Sequence, residues 1–145
     1  MTLNILEIRW TTWNNMKYLD LKLLITLILV LVYVLSANSQ EFLTADNFKS
    51  KIAKDIVAVE FWVEWNKTNE FSEFIELNDC EKYRLDIAKY PNLQTEYKVT
   101  CIPTVIIFES GEEKDRFKAN IMFELDADKK DVQKSIDKIM LAKFN

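Results

Sequence analysis

The sequence predicts an α/β domain: a central mixed β-sheet covered by helices on both faces. Three observations predict it. Runs rich in branched and aromatic residues (Ile56 to Val63, Tyr83 to Ile87, Thr104 to Phe108) alternate with segments whose apolar residues recur at helical spacing. The run at 104–108 leads into Glu109-Ser110-Gly111-Glu112, a hairpin turn, so one strand pair is antiparallel. The main strands are apolar nearly throughout, as in a sheet buried on both sides.

Residues 1–39 are set apart as a leader. Lys17 and Lys22 supply positive charge, Leu23 to Leu35 is apolar apart from Thr26, and Ser36, Ala37 and Ser39 are small. That is the pattern of a secretory signal, with Ala37 and Ser39 at the cleavage site and Gln40 as the new N-terminus. The apolar run is short of the ~20 residues a membrane span needs. The alternative is an uncleaved anchor formed by residues 23–35. Met16 is the expected true start. The protein is therefore expected to be exported, secreted or periplasmic, and to meet a membrane only if the leader is uncleaved. Residues 40–145 form the expected domain.

Within it, Thr44 can cap a short helix with Phe48 and Ile52 on one face. Ile56 to Val63 is the first long strand. Asn66 is expected to open a second helix with Phe71, Phe74 and Ile75 facing inward, broken at Asn78-Asp79. Tyr83 to Ile87 is a short strand. Pro91 suits the first turn of a third helix, where its missing N–H costs nothing, and that helix carries Leu93 and Tyr97. Thr104 to Phe108 is a continuous apolar strand, Gly111 sits where a positive φ is needed, and Lys114 to Lys118 pairs back. Residues 119–125 fit no single element. Asp126 or Asp128 starts a last helix with Val132, Ile136, Ile139 and Met140 on one stripe.

Composition removes several functions. The 145 residues include no histidine, two cysteines (Cys80 and Cys101) and one glycine. The commonest general base is missing, a Cys-rich zinc site is excluded, and no glycine loop can cradle phosphates. With 19 Lys+Arg against 23 Asp+Glu and no basic run, no nucleic-acid footprint is present. No metal and no cofactor is expected.

Two motifs carry a family likeness. "VEFWVEWNKTN", residues 59–69, resembles the strand and active-site run of the thioredoxin family, which ends in Trp-Cys-Gly-Pro-Cys. "VTCIPTVIIFESGEE", residues 99–113, resembles the cis-proline strand and hairpin of the same family. Between them, "YRLDIAKYPNLQTEYKV" is similar to its middle strand and third helix. The resemblance covers nearly all of residues 42–142. It implies a thioredoxin-like fold, a cis Ile102–Pro103 bond and a groove lined by that backbone, along which an extended peptide can add as a strand.

The departures bear on function. Asn66 and Asn69 stand at the two cysteine positions of the resemblance, with Lys67 and Thr68 between them. Thiol chemistry needs a thiolate at a helix N-terminus and a resolving thiol three residues on; carboxamides supply neither. Asn66 can still cap the helix, worth ~1 kcal/mol over alanine. The interval from Trp65 to Tyr83 is also short by roughly two helical turns, so the second helix must be truncated. Asn66-Lys67-Thr68 doubles as a glycosylation acceptor, of consequence only in a eukaryotic secretory route.

Single residues complete the picture. Glu60 matches the family's buried acid, and a lysine, Lys98 or Lys114, is its expected partner, since an unpaired buried carboxyl is costly. Cys101 is the one thiol near the groove; it is either inert or a replacement nucleophile or dimer link. Cys80 lies too far away to bond it. Trp62 is expected in the core. Trp65 is expected to be partly exposed, as a contact aromatic or as packing over the site. The binding residues expected are Trp65, Asn66, Asn69, Ile102 and Pro103. The expected function is an exported module that grips an extended peptide or protein without electron transfer. The alternative is a thiol-disulfide oxidoreductase or monothiol exchanger using Cys101. Oligomeric state is left open.

Overall fold

A computed structural model describes residues 21–29 and 41–144. Residues 1–39 and 40–145 are separate units. In the first, residues 21–29 are helical, and Thr26 Oγ1 donates to the Lys22 carbonyl at 2.8 Å. The expected cleavage site and the start at Met16 lie outside the described residues. Among the described residues, no helix is long and apolar enough to cross a membrane.

The second unit is built on five strands: β1 (Glu41–Phe42), β2 (Ile56–Trp62), β3 (Glu81–Asp86), β4 (Thr104–Glu109) and β5 (Glu112–Lys118). Their order is β1-β3-β2-β4-β5. The first three are parallel, and β4 and β5 are antiparallel to their neighbours, so the sheet is mixed as the sequence predicts. All seven residues of central β2 are buried. Successive side chains of a strand point to opposite faces, so the apolar run supplies two cores at once.

On one face, Val57, Val59 and Phe61 pack with Phe48 and Ile52 of α1 (Ala45–Ile52) and Leu93 of α2 (Pro91–Glu96). On the other, Ile56 and Ala58 pack with Phe71 and Phe74 and with Val132 and Ile136 of α3 (Lys129–Ala142). Burying Phe74 completely stabilises by about 3 kcal/mol. The start of α1 is closed by Asn47, whose side chain accepts the Thr44 N–H at 2.8 Å. Of the two possible starts for α3, Asp128 is the cap: it accepts the Asp131 N–H at 3.0 Å, and Asp131 accepts the Asp128 N–H in return. Pro91 is the first residue of α2. The hairpin turns through Ser110 and Gly111, with φ of +51° and +88°, the left-handed pair a two-residue β-turn requires.

Two expectations are corrected, and one strand, β1, was not expected. β3 starts at Glu81 and ends at Asp86, so Ile87 instead begins a short 3-10 turn. β1 has only two residues, too few for any periodic signal. The second helix is absent as an α-helix. Two 3-10 turns, Glu64–Asn69 and Ser72–Glu76, replace it. Asn66 leaves the helical region (φ −106°, ψ 21°), and the Phe71 N–H is spent on the Glu60 carboxylate at 2.7 Å rather than on a helical carbonyl. Phe71 and Phe74 turn inward as expected, but Ile75 is exposed.

Candidate functional site

Register brings three segments to one end of the sheet. Phe61 near the end of β2 pairs with Thr104 at the head of β4, and Thr104 pairs with Lys118 at the end of β5. The residues leaving β2 (63–69), those entering β4 (101–103) and the 119–125 loop therefore share that end.

Asn66 is the junction. Its side chain is nearly buried, its Nδ2 donates to the Phe123 carbonyl at 3.0 Å, and its Oδ1 accepts from Asn69 Nδ2 at 3.1 Å. Asn66 is thus a cross-link rather than the helix cap expected of it, because no α-helix starts there. The two carboxamides fall together, as the motif spacing implies. Beside them Trp65 is 68% exposed and meets the Phe123 ring edge-on, centroids 5.7 Å apart. Of the two roles open to Trp65, this geometry is that of an exposed aromatic with one ring neighbour.

The 119–125 loop is held from within. Phe123 donates to the Asn120 carbonyl, Asn120 donates to the Glu124 carbonyl, and Asn120 Oδ1 accepts from the Met122 and Glu124 N–H groups. An Ala119–Leu125 bridge closes it. Phe123 sits at φ +62°, a strained setting for a bulky residue. The loop thereby holds Ile121 (97% exposed) and Met122 (68% exposed) in solvent. Sequence reasoning passed over this loop; the signal was the apolar triplet Ile121-Met122-Phe123 set between polar residues.

Ile102–Pro103 is cis, as the resemblance implies. Pro103 is buried and Ile102 packs part-buried on the α1 and α2 core. Cys101 is half-buried; its carbonyl accepts from Thr104 Oγ1 at 2.6 Å and its Sγ lies 3.9 Å from the same hydroxyl. Cys80 is also a free thiol, and burial pushes it up to about 11. Among the described residues, no cluster of three metal-ligating side chains occurs.

Glu60 is fully buried, and its partner is Arg84, not a lysine. Parallel pairing of β2 with β3 sets Glu60 beside Arg84. Arg84 Nε donates to Glu60 at 2.5 Å, Nη1 to Glu70 at 2.9 Å and Nη2 to the Phe71 carbonyl at 3.0 Å. Lys98 and Lys114 are elsewhere: Lys114 pairs with Glu109 and Glu112, and Lys98 follows α2 at a positive φ. Burial pushes the Glu60 carboxyl above its ordinary 4.5, outweighing the Arg84 charge and the Phe71 N–H that pull it down. The guanidinium ties Glu70 and Phe71, the link between the two 3-10 turns, to the sheet.

Residues 39–138 match the family model Thioredoxin. The chain is 34% identical over 83 residues to a thioredoxin of Rickettsia prowazekii (strain Madrid E), covering 50% of this chain and 77% of that protein. It is 33% identical over 79 residues to a thioredoxin of Chlamydia caviae, covering 50% and 78%. Among solved structures, a mutant thioredoxin from Halobacterium salinarum NRC-1 superposes with a TM-score of 0.58 at 16% identity, covering 70% of this chain and 91% of that one. A Malassezia sympodialis thioredoxin gives 0.55 at 21%, covering 70% and 90%. With strand order, cis-proline and sequence match in agreement, the chain belongs to the thioredoxin family.

Proposed function

We propose that this chain is an exported thioredoxin-family domain that binds an extended peptide or protein and passes no electrons. One observation carries the reading: the positions that resemble the family's cysteine pair hold Asn66 and Asn69, whose amides are bonded to each other and to Phe123. Around them Trp65, Ile121 and Met122 offer exposed apolar surface beside a cis-proline. Large apolar side chains presented to solvent by a hydrogen-bonded loop favour a contact surface, because the backbone ordering cost is met before binding. The binding residues are Trp65, Asn66, Asn69, Ile102 and Pro103, with the Phe123 loop as a further wall. The apolar run from Leu23 to Leu35 supports a location outside the cytoplasm, with membrane anchoring as the alternative.

The competing reading is thiol exchange at Cys101. There its thiolate would attack a disulfide sulfur of a partner, form a mixed disulfide, release the partner's other sulfur as a thiol, and be freed by a second external thiol. Insulin reduction by dithiothreitol separates the two. The full chain is expected to add no rate over dithiothreitol alone, while labelled insulin B chain, an extended peptide, binds saturably to wild type and Cys101→Ser alike. A Cys101-dependent rate would establish exchange instead. Absence of both rate and binding would defeat the peptide-binding reading.

A further inference from the structure

Asn66-Lys67-Thr68 is the one Asn-x-Ser/Thr triplet in the 145-residue sequence. Such a triplet is an acceptor for an oligosaccharide on the asparagine side-chain nitrogen. The fold treats its three residues unequally. Lys67 and Thr68 are exposed, whereas Asn66 keeps only 8% of its surface. Its Nδ2, the atom a sugar would join, donates to the Phe123 carbonyl at 3.0 Å, and its Oδ1 accepts from Asn69 at 3.1 Å.

Transfer needs that nitrogen free. The anomeric carbon of the sugar bonds to Nδ2 and breaks its bond to the oxygen of a lipid pyrophosphate. The amide loses one proton, and the lipid pyrophosphate leaves with the electron pair of the broken bond. A carboxamide bonded through both its nitrogen and its oxygen, and more than nine-tenths covered, cannot turn to meet an enzyme. Nor do close-packed surroundings admit a sugar ring unless a neighbour moves aside.

The neighbour placed to move is the 119–125 loop. It supplies the Phe123 carbonyl, and the Phe123 ring meets Trp65. Its form depends on Asn120, whose Oδ1 accepts the Met122 N–H at 2.7 Å and the Glu124 N–H at 3.3 Å. Residues 119–124 belong to neither core cluster. Lifting them frees Nδ2 and leaves the packing on the sheet in place.

We propose that Asn66 is an oligosaccharide acceptor gated by the 119–125 loop. With the loop closed, Phe123 holds Nδ2 and the triplet is silent. With the loop lifted, all three residues are presented. A glycan once attached keeps the loop from closing, and so displaces Ile121 and Met122 from their places beside Trp65. The gate is a property of the fold and depends neither on export nor on peptide binding.

The test uses the full chain, a purified single-subunit oligosaccharyltransferase and a lipid-pyrophosphate oligosaccharide as donor. Mass spectrometry reads modification at Asn66. A peptide of residues 62–70 contains the triplet but not Phe123, and is the open reference. The folded chain is expected to react at least about tenfold more slowly than the peptide, since closing the bond keeps the open loop rare. Asn120→Ala, verified as folded by circular dichroism and thermal unfolding, should recover most of that difference. Met122→Pro, which removes the N–H that Asn120 holds, is the second loop variant. Asn66→Gln should take no sugar. Equal rates for folded chain and peptide, no transfer to the peptide, or loop variants that fold yet stay as slow as wild type would each overturn the proposal.

Discussion

The Asn66 side-chain amide donates to the Phe123 carbonyl at 3.0 Å, joining residues 57 positions apart. The bond fixes a loop that has no other described side-chain tie to the 64–69 turn except the Trp65–Phe123 ring contact. Replacing Asn66 by alanine leaves the Phe123 carbonyl and the Asn69 amide short of a partner. Losing a part-buried bond of this kind costs about 1–3 kcal/mol. Urea unfolding of Asn66→Ala should show that loss, together with a change in Trp65 fluorescence as the ring contact loosens. Unchanged stability and fluorescence would mean the bond does not hold the loop.

Restoring the sulfurs should not restore the chemistry. Asn66 and Asn69 lie in a 3-10 turn with a non-helical residue at 66, so no α-helix N-terminus points at that position. A reactive cysteine at such a place owes its low pKa to the helix end. The Asn66→Cys/Asn69→Cys variant is expected to close a disulfide on oxidation. Its first thiol should nevertheless titrate near the ordinary ~8.5, followed by thiolate absorbance against pH. A value below about 7, as in helix-terminal thiols, would show that the turn supplies the missing field.

The boundary between what was legible and what was not runs through these same residues. The sheet could be read because Ile56 to Trp62 and Thr104 to Phe108 are long apolar runs whose burial on two faces leaves no other assignment. The cis-proline came with its motif. The 3-10 turns could not be read, because Phe71 and Phe74 are spaced alike in an α-helix and in a 3-10 turn, and the Glu60 carboxylate that takes the Phe71 N–H is distant in sequence. The Arg84 partner was in reach: once β2 and β3 are set side by side, a lone arginine within Tyr83-Arg84-Leu85 faces Glu60. The apolar triplet of the 119–125 loop was visible, but its shape was beyond reach, since it comes from one asparagine side chain and a left-handed Phe123.

Removing Arg84 should cost more than removing Glu60 and Arg84 together. Arg84→Met leaves a carboxylate with no charge partner in a site with no solvent exposure. Breaking a buried pair from one side costs about 3–5 kcal/mol, whereas exchanging both partners for apolar groups is often neutral. Glu60→Leu/Arg84→Met is therefore expected to unfold at higher urea than Arg84→Met. The reverse order would show that Arg84 acts through Glu70 and the Phe71 carbonyl instead.

Glu60 also gives a pH dependence of definite sign. Its native carboxyl binds a proton more tightly than the ordinary 4.5 of the unfolded chain. Between those two values the native state carries the extra proton, so stability falls as pH rises. The contribution is complete below 4.5 and is lost as pH climbs through the raised native value. Glu60→Gln cannot titrate. The stability of wild type minus that of Glu60→Gln should be largest near pH 4 and smaller near pH 8, measured by urea unfolding at both. A difference that grew with pH would mean that Arg84 wins over burial.

The exposed loop allows fold and binding to be pulled apart. Ile121 and Met122 touch no core cluster and stand in solvent, so Ile121→Ser/Met122→Ser should change stability by no more than about 0.5 kcal/mol. If they are the central contacts of a peptide surface, each removed side chain costs at least about 1 kcal/mol of binding. Insulin B chain affinity should then fall roughly tenfold or more, since 1.4 kcal/mol is a factor of ten. Thermal unfolding and fluorescence anisotropy on the same preparation give both quantities. A variant that keeps its stability and its full affinity would remove the loop from the binding surface and leave only the Trp65 and Pro103 side of the groove to account for recognition.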